Sequence, residues 1–283
     1  MTHGEALRDA ARRLREAGSE SPQRDARALL LDCANLGAAA LISAEQDALP
    51  SAILDVFHAA IERRCAGEPV SRIIGRRDFY GAEFIVTPDV LDPRPESETI
   101  VDAAIETIGK LPHDNARILD LGTGSGCLLI SILRHCPAAS GIGLDRSQTA
   151  LETAKRNAIA LDVASRAEFL CSDWLEKVDE TFDLVVCNPP YIGIDEISKL
   201  KREVAEWDPP EALFAANKGL DVYERLAPKL SSVLRKPGHG LFEVGQGQAR
   251  LVQGIFACAG LGWGSLKKDD IGVERCVVVS INS

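Results

Sequence analysis

The chain has 283 residues, a length that allows two domains and a sizeable core. Hydrophobic residues make up 46% of it, and 42 acidic against 32 basic residues give a formal net charge of −10. The acidic balance argues against a protein whose main partner is a polyanion such as DNA or RNA.

The predicted elements begin with amphipathic helices. Residues 4–17 carry apolar side chains at helical spacing, and Ser21 with Pro22 is typical of an N-cap and a first-turn proline. A further helix is predicted over Ile53 to Ile61, and Gly67 suits its end. Because no strand pattern interrupts these helices, we expect a small bundle.

A linker is predicted after the helices. A short strand pair surrounds Gly81, and the proline-rich residues 88–95 then lead into a helix from about Glu96 to Lys110. The sequence therefore predicts an N-terminal helical domain over residues 1–75, a strand-pair linker over 76–95, and a second domain over 96–283. The helices by themselves suit a structural cap as well as a partner-binding domain.

A glycine-rich turn follows the first strand of the second domain, residues 118–121, and leads into an apolar helix. From this strand onward strands and helices alternate, which favours a mainly parallel sheet covered on both faces. Glycines let a ligand approach the backbone, and a helix start presents free N–H groups, so we expect a cofactor here. The spacing is neither that of the dinucleotide fingerprint nor that of a phosphate loop. The candidate cofactor-binding residues of the turn are Gly122, Thr123, Gly124, Ser125 and Gly126.

The next two predicted strands also lead into polar residues. The first ends in Asp145, which suits the ribose hydroxyls of an adenosine as well as those of NAD. The less favoured alternative is that Asp145 caps the helix that begins near Ser147. The strand over residues 167–170 leads to Asp173 and Trp174. Asp173 is a candidate to bind an adenine amino group and Trp174 to border the ring, although an aromatic residue at this place is often part of a core.

The most informative motif is Asn188-Pro189-Pro190-Tyr191, which directly follows a buried strand over residues 182–187. Prolines lack N–H groups and form a rigid turn, so backbone carbonyls there stay free to accept hydrogen bonds. The Asn188 side-chain oxygen and the Pro189 carbonyl can each accept one hydrogen of an NH2 group, while Tyr191 offers a flat face. The motif predicts chemistry on a planar nitrogen, although Asn and Pro are also common in plain turns.

Taken in order, these motifs resemble those of S-adenosylmethionine-dependent methyltransferases. More narrowly, the chain is similar to the HemK/PrmC family, which methylates a glutamine of peptide chain release factors. Two departures from the family pattern are Arg72, where an aromatic residue is usual, and Asp92, where an aliphatic one is usual. The other family-like segments are residues 63–70, 78–86, 93–98, 211–213, 219–221 and 242–248.

The resemblance implies an α/β fold, a doubly wound seven-stranded methyltransferase sheet with two antiparallel strands at its end. It implies S-adenosyl-L-methionine as the cofactor, release factors as the protein partner, and N-terminal helices that hold this partner. Asn188, Pro189 and Tyr191 would be catalytic, and Asn188, Pro189, Pro190 and Tyr191 would bind the substrate glutamine. Asn188 would also contact the cofactor, together with the turn, Asp145, Asp173 and Trp174.

Two other functions stay open at this point. Asn-Pro-Pro-Tyr also occurs in amine methyltransferases that act on adenine or guanine in DNA or RNA, but the basic clusters here are short and are typical of a solvated face. A non-catalytic or oxidoreductase domain would use the glycine turn and Asp145, and it would leave Asn188 to Tyr191 without a role.

The remaining composition predicts a cytoplasmic protein without a metal site. The eight cysteines form no Cys-x-x-Cys pair, and the five histidines are scattered, which is typical of reduced thiols and not of metal ligands. No apolar run approaches the ~20 residues of a membrane-spanning helix.

Overall fold

The structure is a computed structural model that describes residues 1–281. It forms two compact units, one made of residues 1–76 and 201–207 and the other of residues 77–200 with those from 208 onward. Among the described residues, no helix combines the length and the apolar character needed to cross a bilayer. The domain limits 1–75, 76–95 and 96–283 stay predictions.

The helices of the described residues are, in chain order, α1 (His3–Glu16), α2 (Pro22–Ala34), α3 (Ala38–Ser43), α4 (Ser51–Cys65), α5 (Val70–Ile74), α6 (Glu98–Ile108), α7 (Cys127–His135), α8 (Gln148–Ala160), α9 (Arg202–Trp207), α10 (Pro210–Leu213), α11 (Ala216–Gly219), α12 (Asp221–Val233) and α13 (Ala249–Cys258). Two 3-10 turns, Pro95–Ser97 and Ile194–Lys199, add to them.

The strands are β1 (Arg76–Phe79), β2 (Ala82–Ile85), β3 (Arg117–Leu121), β4 (Ser140–Asp145), β5 (Ala167–Cys171), β6 (Phe182–Cys187), β7 (Ile192–Gly193), β8 (Phe214–Ala215), β9 (Leu234–Glu243), β10 (Gly262–Lys268) and β11 (Glu274–Ile281). The pair β1–β2 surrounds Gly81, as predicted.

The first unit is built on the predicted helices. At the start of α1, the Thr2 hydroxyl accepts the Glu5 N–H and the Glu5 carboxylate accepts the Thr2 N–H, so a capping box begins the helix. The apolar faces of α1, α2 and α4 meet in one core, which includes the fully buried Leu14, Leu30 and Phe57. Burial of these faces stabilises the bundle, as the sequence predicts.

A buried arginine joins distant parts of the first unit. Arg64 of α4 donates to Asp25 of α2 at 2.9 Å, and both side chains are at most 12% exposed. The same guanidinium lies 3.1 Å from Glu203 of α9. Removing one partner of such a buried pair costs about 3–5 kcal/mol, so the pair fixes the α2–α4 packing.

The second unit contains a seven-stranded sheet in the order β10-β11-β9-β6-β3-β4-β5. The strands from β9 to β5 run parallel to one another, and β11 is antiparallel to both β9 and β10. Helices α6, α7 and α8 pack on one core cluster, and α12 and α13 on another. The predicted doubly wound fold with an antiparallel end is confirmed.

Strand β6 is buried on both faces, which explains why apolar residues do not alternate with polar ones in its sequence. Leu184 and Val186 belong to one core cluster, while Val185 and Cys187 belong to the other. Successive side chains point to opposite faces of a sheet, and here helices cover both faces. Every residue of β6 is therefore buried.

The register of the sheet brings the motif-bearing loops to one edge. Leu121 of β3 pairs with both Leu144 of β4 and Cys187 of β6, and Cys187 pairs with Phe242 of β9. Because these strands are parallel, the residues that follow them meet at the carboxyl edge of the sheet, where ligands of open α/β sheets bind.

Candidate active site

The turn after β3 opens onto free space. Gly124 has φ +54°, and no other group lies within 4 Å of the position where its Cβ would be. Gly126 has φ +80°, and a Cβ there would lie 2.7 Å from Ile130 Cδ1, so only glycine allows α7 to start this close to the turn. The backbone at Gly124 is thus accessible to a ligand.

The two hydroxyl residues of the turn point inward. Thr123 is 5% exposed, and its hydroxyl donates to Asp120 Oδ2 at 2.6 Å. Ser125 is 2% exposed, and its carbonyl accepts from the buried Asn157 Nδ2 at 2.9 Å. These side chains shape the turn from within, so a contact of Thr123 or Ser125 with the cofactor would come from the backbone.

Asp145 lies beside this opening. Its Oδ2 accepts the Gly124 N–H at 3.0 Å, and its Oδ1 accepts the Ser147 N–H at 2.9 Å. The cap of α8 is the Ser147 side chain, which accepts the Ala150 N–H. The alternative that Asp145 is the helix cap is therefore wrong. Each carboxylate oxygen keeps a further lone pair, which suits the two hydroxyls of a ribose.

Asp173 and Trp174 follow β5 at the same edge and point to different neighbours. Trp174 has φ +51°, and its ring lies 3.7 Å from the Cβ position of Gly122 while it also packs against the core. The Asp173 carboxylate pairs with Arg225 at 3.2 Å and is half exposed. Trp174 thus borders the turn, and an adenine contact by Asp173 stays a prediction that would compete with Arg225.

These residues fit an adenosine-bearing cofactor. Three features lie together at the carboxyl edge of the sheet. They are the accessible backbone of Gly124, the Asp145 carboxylate next to it, and the Trp174 ring beside Gly122. Within the described residues, no cluster of His, Cys, Asp and Glu has the arrangement of a metal site.

Asn188 begins the turn after β6, and the NH2 group of its side-chain amide is already hydrogen-bonded within the protein. Its Nδ2 donates to Ser97 Oγ at 3.0 Å. Among the described residues, no donor forms a hydrogen bond with Asn188 Oδ1 or with the Pro189 carbonyl. The two acceptors predicted from the motif are therefore available to a substrate NH2 group.

Tyr191 is held by a buried carboxyl group. Its hydroxyl donates to Glu243 Oε1 at 3.2 Å, and burial followed by the charge of Glu243 raises the pKa of Tyr191 well above its ordinary value. Tyr191 therefore stays protonated as a hydrogen-bond donor and does not act as a base. Its ring is fixed in place, as expected for a group that sets the plane of a bound amide.

Gly219 and Gln248 fix the backbone of the same turn. Gln248 Nε2 donates to the Tyr191 carbonyl at 2.9 Å, and its Oε1 accepts the Gly245 N–H at 2.9 Å. A Cβ on Gly219 would lie only 1.9 Å from the Tyr191 carbonyl oxygen, so glycine is required there. Neither residue was a predicted site residue, although both lie in family-like segments.

Glu243 and Ser97 are the functional candidates that motif reasoning missed. Glu243 ends β9, is 1% exposed, and has its pKa raised to about 7 by burial, partly offset by the hydroxyls of Ser97 and Tyr191. Ser97 lies in the 3-10 turn before α6 and is 2% exposed. A charged residue at the end of an apolar strand was the available signal.

Two family models match the chain. The PrmC N-terminal domain matches residues 5–75, and the methyltransferase small domain matches residues 97–204. A release factor glutamine methyltransferase of Cereibacter sphaeroides is 43% identical over 277 residues, which cover 98% of each chain. One of Rhodospirillum rubrum is 42% identical over 275 residues, covering 97% of this chain and 84% of its own. This chain belongs to the release factor glutamine methyltransferase family.

A solved structure shows the same fold at low identity. The hMettl16 catalytic domain superposes with a TM-score of 0.58 at 12% identity, covering 81% of this chain and 83% of that one. At this identity the likeness concerns the fold alone. As a member of the release factor glutamine methyltransferase family, the protein is an S-adenosylmethionine-dependent methyltransferase, which confirms the predicted family, enzyme class and cofactor. The relatives do not support the DNA or RNA alternative.

Proposed function

We propose that this protein methylates the side-chain amide nitrogen of a glutamine in the catalytic loop of a peptide chain release factor, in the cytoplasm. The observation that carries the proposal is the pair of available acceptors at the sheet edge, Asn188 Oδ1 and the Pro189 carbonyl. A primary amide offers two N–H donors on one nitrogen, which two fixed acceptors match.

The reaction needs positioning more than acid–base chemistry. S-adenosylmethionine supplies an electrophilic methyl group when it is bound. The amide nitrogen is a weak nucleophile because its lone pair is delocalised into the carbonyl. Asn188 and Pro189 hold both of its hydrogens, and these hydrogen bonds strengthen as the nitrogen gains positive charge. The new N–C bond would form as the bond from the methyl carbon to sulfur breaks, which would leave a neutral thioether as the leaving group. One N–H hydrogen would then pass as a proton to water, and the product is a secondary amide.

The other site residues follow from their places at the edge. The turn from Gly122 to Gly126 and Asp145 hold the methionine and ribose parts of the cofactor, while Asp173 and Trp174 border adenine. Tyr191 and Pro190 fix the plane of the substrate amide. The helical residues 1–75 bind the release factor, and residues 76–95 link them to the catalytic domain over 96–283.

A labelled-methyl transfer assay tests the proposal. Four methyl acceptors are compared: a purified release factor, the same factor with its loop glutamine replaced by alanine, a DNA and an RNA. We expect label in the unchanged factor alone. Label in nucleic acid, or equal label in the glutamine-to-alanine factor, would refute the proposal.

The same assay tests Asn188. We expect Asn188→Ala to lower kcat at least ~100-fold while the Kd for S-adenosylmethionine changes much less, because the lost acceptor acts mainly in the transition state. Asn115→Ala, at an exposed asparagine outside the site, is the matched control. Wild-type turnover of Asn188→Ala would remove Asn188 from the mechanism.

A further inference from the structure

We infer that Glu243 and Ser97 position Asn188 by fixing the direction of its hydrogen bonds, so that Asn188 Oδ1 and not its NH2 group faces the substrate. Neither Glu243 nor Ser97 was a predicted site residue, and both act through Asn188. The inference deepens the proposed function and rests on it only for the identity of the substrate.

The three side chains are neighbours in the second unit. Asn188 Nδ2 donates to Ser97 Oγ at 3.0 Å. The Ser97 hydroxyl in turn adjoins the Glu243 carboxyl and stabilises its ionised form. Glu243 Oε1 accepts from Tyr191, whereas Oε2 is buried and receives no well-placed hydrogen bond from the described residues. The Ser97 hydroxyl is the adjoining donor that can supply one.

The direction of this network follows from the number of hydrogens. A serine hydroxyl has one hydrogen to donate, and an ionised carboxylate can only accept. If Ser97 donates to Glu243, its oxygen is left to accept, and the end of Asn188 that faces Ser97 must be the NH2 group. Oδ1 then occupies the opposite end, where it can accept from a substrate amide.

Without the carboxylate the direction is lost. Ser97 could then donate to Asn188 Oδ1, and the side-chain amide could turn over so that its NH2 group faced the substrate. Two NH2 groups cannot form a hydrogen bond with each other because both only donate. The glutamine would still reach the site, but its nitrogen would be misplaced for reaction.

The protonation of Glu243 therefore controls Asn188. Burial raises the pKa of Glu243 to about 7, so the acceptor form dominates above this pH and a protonated form that can donate to Ser97 gains population below it. The titratable groups that face Glu243 from the neighbouring elements are Tyr191, Tyr223, Glu96, Arg275, Cys127, Cys187 and Cys276. We expect kcat/KM to fall with acidification through this range.

The first experiment needs no substrate. The side-chain amide of Asn188 is observed in a 15N–1H spectrum, assigned by its loss in Asn188→Asp, and followed from about pH 5 to about 9. In the wild type we expect its shifts to titrate with a midpoint near the Glu243 value of about 7. This titration should vanish in Glu243→Gln and persist in Glu152→Gln, a matched change on the exposed face of α8. A titration that persists in Glu243→Gln, or is absent in the wild type, would overturn the inference.

The second experiment measures turnover and cofactor binding separately. We expect Ser97→Ala and Glu243→Gln each to lower kcat roughly 10- to 100-fold, with the Kd for S-adenosylmethionine within about threefold of wild type, because misplacement affects the reacting geometry. Ser97→Thr keeps the hydroxyl and should retain most of the activity. The kcat of the double variant should be no lower than that of the less active single variant, since both substitutions break the same hydrogen-bond network.

Failure of this inference is distinguishable from failure of the proposed function. Wild-type protein that methylates no release factor would refute the substrate, while the spectrum still decides the network. If Glu243→Gln does not fold, Ser97→Ala carries the test, because it removes one hydroxyl from a small buried side chain. The inference would be overturned by a folded Ser97→Ala protein that has wild-type kcat and the same fall of kcat/KM on acidification as the wild type.

Discussion

Gln248 Nε2 donates a hydrogen bond to the Tyr191 carbonyl at 2.9 Å. The other end of the same amide accepts the Gly245 N–H at 2.9 Å, so the side chain joins the turn after β6 to the turn after β9. Proline alone makes Asn188 to Tyr191 locally stiff, whereas Gln248 fixes where this stiff segment lies. The position of the two proposed acceptors, Asn188 Oδ1 and the Pro189 carbonyl, therefore depends on a residue just before α13.

Loss of this contact should reduce turnover without weakening the cofactor. We expect Gln248→Ala to lower kcat roughly tenfold, because a small displacement of the proposed acceptors misaligns the reacting nitrogen. The Kd for S-adenosylmethionine should stay within about twofold of the wild-type value. Gln253→Ala, within the helix α13 that follows Gln248, is the control. Steady-state kinetics and calorimetric titration would measure the two constants, and an unchanged kcat would show that Gln248 is not needed.

Gly219 should not tolerate a side chain. Its φ of +83° and the 1.9 Å between a Cβ and the Tyr191 carbonyl oxygen make Gly219→Ala strained on two counts. We expect the free energy of unfolding to fall by about 2–4 kcal/mol and kcat to fall with it. Gly254→Ala, in α13 with nothing within 4 Å of its Cβ position, should be neutral or gain about 0.5–1 kcal/mol. Urea denaturation compares the two, and equal effects would contradict the structure.

Asp145 should affect cofactor affinity and little else. Asp145→Asn keeps an acceptor for the Gly124 N–H but loses the charge that strengthens hydrogen bonds to a ribose. A charged hydrogen bond contributes about 1.5–3 kcal/mol, so we expect the Kd for S-adenosylmethionine to rise roughly 10- to 100-fold with kcat at saturation unchanged. Asp162→Asn, exposed after α8, is the control. An unchanged Kd would remove Asp145 from the cofactor site.

Asn157 should be a main determinant of stability around the turn. Fully buried, it bonds to both backbone groups of Ile85, at 2.7 and 3.0 Å, and to the Ser125 carbonyl at 2.9 Å. Asn157→Ala would leave the buried Ser125 carbonyl and two partly buried backbone groups of Ile85 without this partner, so we expect the free energy of unfolding to fall by about 2–4 kcal/mol. Glu152→Ala on the exposed face of α8 should change it by less than ~0.5 kcal/mol. Chemical denaturation of both variants provides the check.

The buried carboxyl of Asp120 should give stability a distinct pH dependence. Burial raises its pKa to about 7, above the value in an unfolded chain, so the folded state holds this proton more tightly. The contribution of Asp120 to stability is therefore greatest below about pH 4 and is lost as the pH rises to about 7. Relative to wild type, Asp120→Asn should gain stability over this window and level off above it. A constant difference between the two proteins across the window would contradict the raised pKa.

The secondary structure was predictable because it depends on neighbours in sequence. Periodicity placed β3, β6 and the helices α1, α2 and α4, and the turn residues placed the pair around Gly81. The predicted helix from Glu96 to Lys110 was too long: a 3-10 turn, Pro95–Ser97, precedes α6, which ends at Ile108. Local spacing does not distinguish a 3-10 turn from the first turn of an α-helix, and here the tighter turn carries Ser97.

The functional motifs were also local signals. Asn188 follows β6, Asp145 ends β4 and the glycine turn follows β3, and parallel strands bring such positions to one edge. The comparisons confirm the family to which these motifs point. The hydrogen bond from Asn157 to the Ser125 carbonyl and the pairing of Asp173 with Arg225 were not predictable, because each depends on a partner from another element.

The sequence by itself determined the helices, the buried strands and the motif that presents two carbonyl acceptors, since each depends on a few consecutive residues and their backbone preferences. Only the tertiary structure decided that Ser97 and Glu243 meet behind Asn188. Their contact depends on the parallel pairing of Cys187 with Phe242 and on the packing of α6 against the sheet. No local pattern encodes that register, because burial of both faces of the whole sheet sets it.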